Sequence, residues 1–167
     1  MTVKIDLIVK YPDATLFKTC ERIEQFDKKL VALSNKMIFA LKASNGFGLA
    51  APQIGVAKQI FVYQDETTRE FHTVVNPEIV SVSEEQTEDY EGCLSIPDHW
   101  FAIERSSEVT LKGQDLEGNP FETTATGMTA RMFQHECDHL DGKLITYHLT
   151  NTEKASINAT WQRKKKK

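Results

Sequence analysis

The segment Gln134-His135-Glu136-Cys137-Asp138-His139-Leu140 holds two imidazoles four residues apart, with a carboxylate directly after the first. At about 100° per residue in a helix, His135 and His139 stand roughly 40° apart on one face and can bind one metal ion together. Glu136 lies roughly 60° from His139, close enough to reach a water at that metal without being a ligand. Cys137, roughly 200° from His135, points away. Two lone histidines at this spacing are more often solvated or satisfied in a core. Glu136 between them, on a helix that offers Met132, Phe133 and Leu140 to a core, favours the metal site.

H-E-x-x-H alone suggests a zinc peptidase, so the third ligand has to discriminate. The metzincin pattern continues as H-E-x-x-H-x-x-G-x-x-H, which this chain follows to Gly142 before placing Ile145 where the last histidine belongs. A peptidase with a downstream glutamate ligand would have to use Glu153, in a short polar ending. The better candidate is upstream, at Cys93 in Glu91-Gly92-Cys93-Leu94-Ser95. A thiolate and two imidazoles leave one position of a four-coordinate metal open, as catalytic sites require. Alone, Cys93 would read as an ordinary buried cysteine.

Gly46-Phe47-Gly48-Leu49-Ala50-Ala51-Pro52-Gln53 matches a permissive dinucleotide-binding pattern, G-x-G-x-x-A, in the wrong context. That pattern follows a strand and opens a helix, whereas here a helical pattern precedes it and Pro52 falls where a helix needs its N–H. The glycines suit close approach of another backbone, as in a groove that binds an extended peptide by main-chain hydrogen bonds.

The elements that must position these residues follow from periodicity. Ile23, Phe26, Leu30, Leu33, Met37 and Leu41 recur every three or four positions, which predicts one long amphipathic helix over 21–44, closed by Asn45-Gly46. Short β-like runs follow at 59–63, 73–75, 78–83, 109–113 and 121–125, the last two joined by a turn-rich segment suited to a hairpin. A second helical pattern spans about 129–140 and carries the histidines. The expected class is α+β: antiparallel sheets packed around a central helix bearing H-E-x-x-H, with a long N-terminal helix. A single domain is expected over 1–162.

Hydrophobic residues make up 40% of the 167 and charged residues 26%, as in one globular domain. The formal net charge is −4, but five of the twenty basic residues are Arg163 to Lys167. The body to Gln162 therefore sets fifteen basic residues against 24 acidic ones, a net −9 that argues against DNA or an anionic membrane as main partner. No run approaches the roughly 18 apolar residues that span a bilayer. Residues 1–11 have no signal-peptide pattern, and Cys20, Cys93 and Cys137 cannot all pair within the chain. A reducing compartment, the cytoplasm, is expected.

Taken together and in order, the segments at 46–53, 91–95 and 134–142 resemble the three signature motifs of peptide deformylases, a likeness that extends over about residues 40–150. The resemblance implies a hydrolase that removes the N-formyl group from formylmethionyl nascent peptides and releases formate. It implies Cys93, His135 and His139 as ligands of one divalent metal, Fe²⁺ in cells, with Zn²⁺, Ni²⁺ or Co²⁺ able to occupy the site. Metal-bound hydroxide would attack the formyl carbon, with Glu136 as general base and acid. The Gln53 amide and the Leu94 N–H would form the oxyanion hole, and main-chain groups of Gly48 and Gly92 would align the substrate. Phe47, Met128 and Met132 would line the methionine pocket, with Glu91 and Arg105 paired beneath it.

The chain departs from that family pattern at the groove rim, where Asp98 stands in place of a common Gly and Trp100 follows. It also reads as lacking the long C-terminal helix of some members beyond His148. The basic end at 163–167 reads as a disordered solubilising tail, with weak contact to ribosomal RNA as the second reading. A zinc endopeptidase and a non-catalytic peptide-binding relative are the competing classes. The first lacks a downstream ligand, and the second usually loses a ligand or the acid, all of which are present here.

Overall fold

The computed structural model describes residues 7–165. Ten principal elements follow in the order α1 (Lys28–Ser44), β1 (Gly48–Ala50), β2 (Ile60–Gln64), β3 (Phe71–Val82), β4 (Gln86–Cys93), β5 (Ile96–Ser106), β6 (Glu108–Gln114), β7 (Pro120–Thr126), α2 (Gly127–Leu140) and α3 (Asn151–Lys165). Strands β1-β2-β3-β6-β7 form one antiparallel sheet in that spatial order, and β4 and β5 form a separate antiparallel hairpin. The α+β class with antiparallel sheets around the H-E-x-x-H helix is as expected.

Strand β2 shows why the sheet has two covered faces. Ile60 and Val62 join Leu30, Met37 and Leu41 of α1 in one apolar cluster, while Phe61 joins Ala130, Met132 and Phe133 of α2 in another. Alternation along a strand sends successive side chains to opposite faces, so the sheet lies between the two helices. A third cluster holds the tip of the β4-β5 hairpin: Cys93, Ile96 and Ile103 pack with Ile145, Leu149 and Ile157.

Helix α1 begins at Lys28, seven residues later than its apolar period predicts. The Asp27 carboxylate accepts from the N–H groups of Lys29 and Leu30 and caps the helix there. The preceding stretch is held extended by long-range bonds: Asn76 accepts from Ile23 N–H and donates to Ile23 O, both at 2.8 Å, and Gln59 N–H donates to Glu21 O. The runs expected at 73–75 and 78–83 are one bulged strand, β3, with Asn76 at φ 50° beside Pro77.

Two expectations for the C-terminus are corrected. A 15-residue helix, α3, follows His148, and it continues through Arg163 to Lys165, so the basic end is helical that far. Lys166 and Lys167 lie outside the described residues. The helix escapes a periodicity search because it buries little. Ile157, 3% exposed, is its one buried residue among those described, and the 3-10 turn Ile145–His148 and Tyr11 dock it, the Tyr11 hydroxyl lying 3.0 Å from Asn158 Oδ1.

Candidate active site

Helix α2 and the tip of the β4-β5 hairpin bring the chemistry together. Arg131, His135, Glu136 and His139 lie on the buried side of α2, and Gln134 ties the helix to β5 through both its amide atoms, accepting from Ser106 N–H and donating to Ser106 O. His135 Nε2 lies 3.1 Å from His139 Nε2, and Cys93 Sγ lies 3.4 Å from His139 Nε2. Cys93, His135 and His139 each offer one ligand atom, and these atoms all lie within 4.8 Å of one another. Cys137 packs instead against the cluster around Phe133, and burial pushes its thiol up, so it takes no part.

The protonation of this cluster bears on what it can hold. Burial raises the Cys93 thiol, but the imidazoles of His139 and His135 outweigh burial and hold it well below the thiol range. Burial likewise lowers His135, and its contacts with Cys93 and Glu91 more than reverse the effect. The Cys93 thiolate and the Glu91 carboxylate therefore favour positive charge at His135. A borderline-soft divalent cation could supply that charge, and a donor set of one thiolate and two imidazoles suits it. The residues fit a metal.

The ligands are held from behind. Glu91 Oε1 lies 2.6 Å from His135 Nδ1; a carboxylate can only accept, so Nδ1 carries the proton and Nε2 faces the ligand cluster. Arg105 grips Glu91 with two hydrogen bonds, at 2.8 and 3.2 Å, and reaches Asp138 at 2.7 Å. Arg131 Nη1 donates both to Glu91 at 3.2 Å and to Ile103 O, while its Nη2 donates to Thr87 O. Burial opposes ionisation of Glu91, yet hydrogen bonds from His135 and Arg105 carry it well below the usual carboxylate range.

Glu136 is 3% exposed, and its Oε2 has no hydrogen-bond partner among the described residues. Burial raises its carboxyl to about 7, with the positive imidazoles of His135 and His139 opposing and the charges of Cys93 and Glu91 adding to the rise. Gly48 explains how the backbone of β1 comes so near: a Cβ there would collide with Glu136 Oε1 and stand 3.0 Å from Met132 Cγ. Gln53 sits across the cluster. Its Oε1 accepts from Ala50 N–H at 2.9 Å, which turns Nε2 toward Ser95 Oγ at 3.2 Å and Cys93 Sγ at 3.6 Å.

These groups open into a groove of about 1190 Å³. Phe47, Gly48, Gly92, Leu94, Met128 and Met132 all line it, with Met132 buried and the Phe47 ring half-exposed. Glu91 is at its floor, but Arg105 is not on the wall and acts from behind Glu91. Sequence reasoning missed Arg131, Ser95 and the pair Asp138–His148, whose atoms lie 2.9 Å apart. Arg131 was findable, because it precedes His135 by four residues and so shares its face. Asp98 holds φ 67°, a conformation that glycine adopts freely, as befits its place in the family pattern.

The fold and the Cys-His-His cluster define a metalloenzyme of the H-E-x-x-H type. The family model for polypeptide deformylase matches residues 5–155. Among curated relatives, a peptide deformylase of Acidobacterium capsulatum is 40% identical over 146 residues, covering 86% of this chain and 85% of the relative. One from Dictyoglomus thermophilum is 41% identical over 140 residues, covering 83% and 88%. The crystal structure of a peptide deformylase from Legionella pneumophila superposes with a TM-score of 0.89 at 38% identity, covering 95% of this chain and 94% of that one. A Plasmodium falciparum peptide deformylase gives 0.86 at 34% identity, covering 93% of each. The chain belongs to the polypeptide deformylase family and is an enzyme of that class.

Proposed function

We propose that the protein hydrolyses the N-formyl group of N-formylmethionyl peptides to formate and a free amino terminus. The observation that carries this reading is the convergence of Cys93, His135 and His139 beside a buried Glu136, with Cys93, His135 and Glu136 lining a groove. Cys93, His135 and His139 would hold one divalent ion, Fe²⁺ in cells, with Zn²⁺, Ni²⁺ and Co²⁺ compatible with the same donors. When bound there, the ion would lower the pKa of water and polarise the formyl carbonyl.

The chain's own residues do the rest. Glu136, which lines the groove and whose Oε2 is unpartnered among the described residues, takes the proton from the attacking water and delivers it to the leaving amine nitrogen. A carboxyl near neutrality can both accept and release that proton. Gln53 Nε2 and the Leu94 N–H donate to the oxygen on which charge develops, each such donor being worth about 2.7–4 kcal/mol of barrier. The main-chain groups of Gly48 and Gly92 hold the peptide extended, and Phe47, Met128 and Met132 enclose the methionine side chain. Glu91, gripped by Arg105 and Arg131, keeps His135 in the tautomer that offers Nε2.

The three cysteines are all unpaired, in keeping with a cytoplasmic site of action, and no described helix is long and apolar enough to cross a membrane. Formate release from formyl-Met peptides, assayed beside cleavage of internal peptide bonds, tests the reading. An endopeptidase would give the second product and not the first.

A further inference from the structure

The groove has a second side, and it is aromatic. Burial along β4 alternates near its end: Glu91 and Cys93 are buried toward α2, where they meet His135 and His139, while Tyr90 and Gly92 face the other way. On that outer face the partner strand places Trp100 opposite Gly92 and Ala102 opposite Tyr90. A Cβ built on Gly92 would stand 3.0–3.1 Å from three indole atoms of Trp100, so the ring lies across the glycine. Trp100 is 68% exposed and Tyr90 67%, and both line the groove. An indole laid over a strand with most of its surface in water is an apolar surface that no described residue covers.

The strand geometry says what meets it. Among the described strands, β1 pairs only with β2 and β4 only with β5, so each leaves an edge free, and Gly48 and Gly92 bring both to the same groove. A peptide bound in extended form there alternates its side chains. When its methionine points inward to Met128 and Met132 on α2, the next side chain points outward, to the face that carries Trp100 and Tyr90.

We propose that Trp100, flanked by Tyr90, is a specificity-determining residue that forms the subsite for the residue following methionine and favours large apolar side chains there. This rests on the deformylase reading above. Gly92 is part of the device, because any side chain at that position would displace the indole.

The test is steady-state formate release from formyl-Met-Leu and formyl-Met-Gly peptides of equal length, with the metal-loaded wild type, Trp100→Ala and Trp100→Phe. The wild type is expected to favour the leucine peptide by roughly tenfold in kcat/KM, chiefly through KM. Trp100→Ala should bring that ratio close to one, and Trp100→Phe should restore most of it. Circular dichroism and metal content matching the wild type would show that the alanine variant is folded. A leucine-to-glycine ratio unchanged in Trp100→Ala overturns the subsite while leaving the deformylase reading intact. No formate from either peptide with the wild type overturns that reading and the subsite with it.

Discussion

Glu91 accepts the Nδ1 proton of His135 at 2.6 Å, and this bond joins the hairpin of β4 and β5 directly to a metal-ligand candidate on α2. The hairpin thereby supplies one ligand, Cys93, and orients another. Glu91 is itself enclosed by two buried arginines, Arg105 and Arg131, so its charge is fully used within the structure.

Glu91→Gln should therefore weaken metal binding by roughly 10–100-fold, because outer hydrogen-bond partners fix both the tautomer and the direction of a ligating histidine. It should also destabilise the fold by about 3–5 kcal/mol, since two buried guanidinium groups lose their carboxylate. Metal titration and denaturant unfolding would check the two parts. Unchanged metal affinity would show that Glu91 serves folding alone.

The same carboxylate gives the metal-free protein an acid limit. Hydrogen bonds from His135 and Arg105 depress Glu91 in the folded state against an ordinary value of 4.5, and Asp138 is likewise lowered from 3.8, burial being outweighed by His148 and Arg105. A depressed folded pKa contributes stability above the unfolded value and loses it as pH falls toward the folded one. The share of the unfolding free energy that Glu91 and Asp138 supply should be complete above about pH 5 and be lost as pH falls below it. The slope below pH 4.5 should be smaller in Glu91→Gln; equal slopes would remove Glu91 from the account.

Glu136→Gln keeps the shape and the three ligands but removes the proton acceptor. Metal content should match the wild type while kcat falls by roughly 10²–10⁴-fold. A variant that kept most of its rate would assign the proton to another group.

Gly48→Ala adds one methyl where Glu136 Oε1 already stands. Glu136 would have to swing aside, since the backbone of β1 is fixed by its pairing with β2. Turnover should fall by at least roughly tenfold with a melting temperature within a few degrees of the wild type. Full activity would show that Glu136 has room that the structure does not suggest.

Much of this site could be read from residue spacing, because its parts are local. The i, i+4 histidines, the adjacent glutamate and the glycine pair are short-range patterns, and α2 and the β6-β7 hairpin were readable for the same reason. What stayed hidden depends on distant partners. Residues 21–27 keep a helical apolar period, yet Asn76, Gln59 and Ala57 hold Glu21 and Ile23 extended. Strands β4 and β5 show no clean two-residue alternation, because residues 86–90 are exposed on both faces and Glu91, Arg105 and Arg131 share the anchoring of the hairpin with the apolar cluster near its tip. Helix α3 presents one buried residue among those described, too little for any periodicity to register.

The most direct measurement is anaerobic purification with metal analysis, followed by formate release from a formyl-Met peptide by the wild type and by Cys93→Ser. The structure predicts one divalent ion per chain, formate released in step with the free amino terminus, and loss of both metal and turnover in the variant. Full metal occupancy in Cys93→Ser, or a metal-loaded wild type that yields no formate, would contradict it.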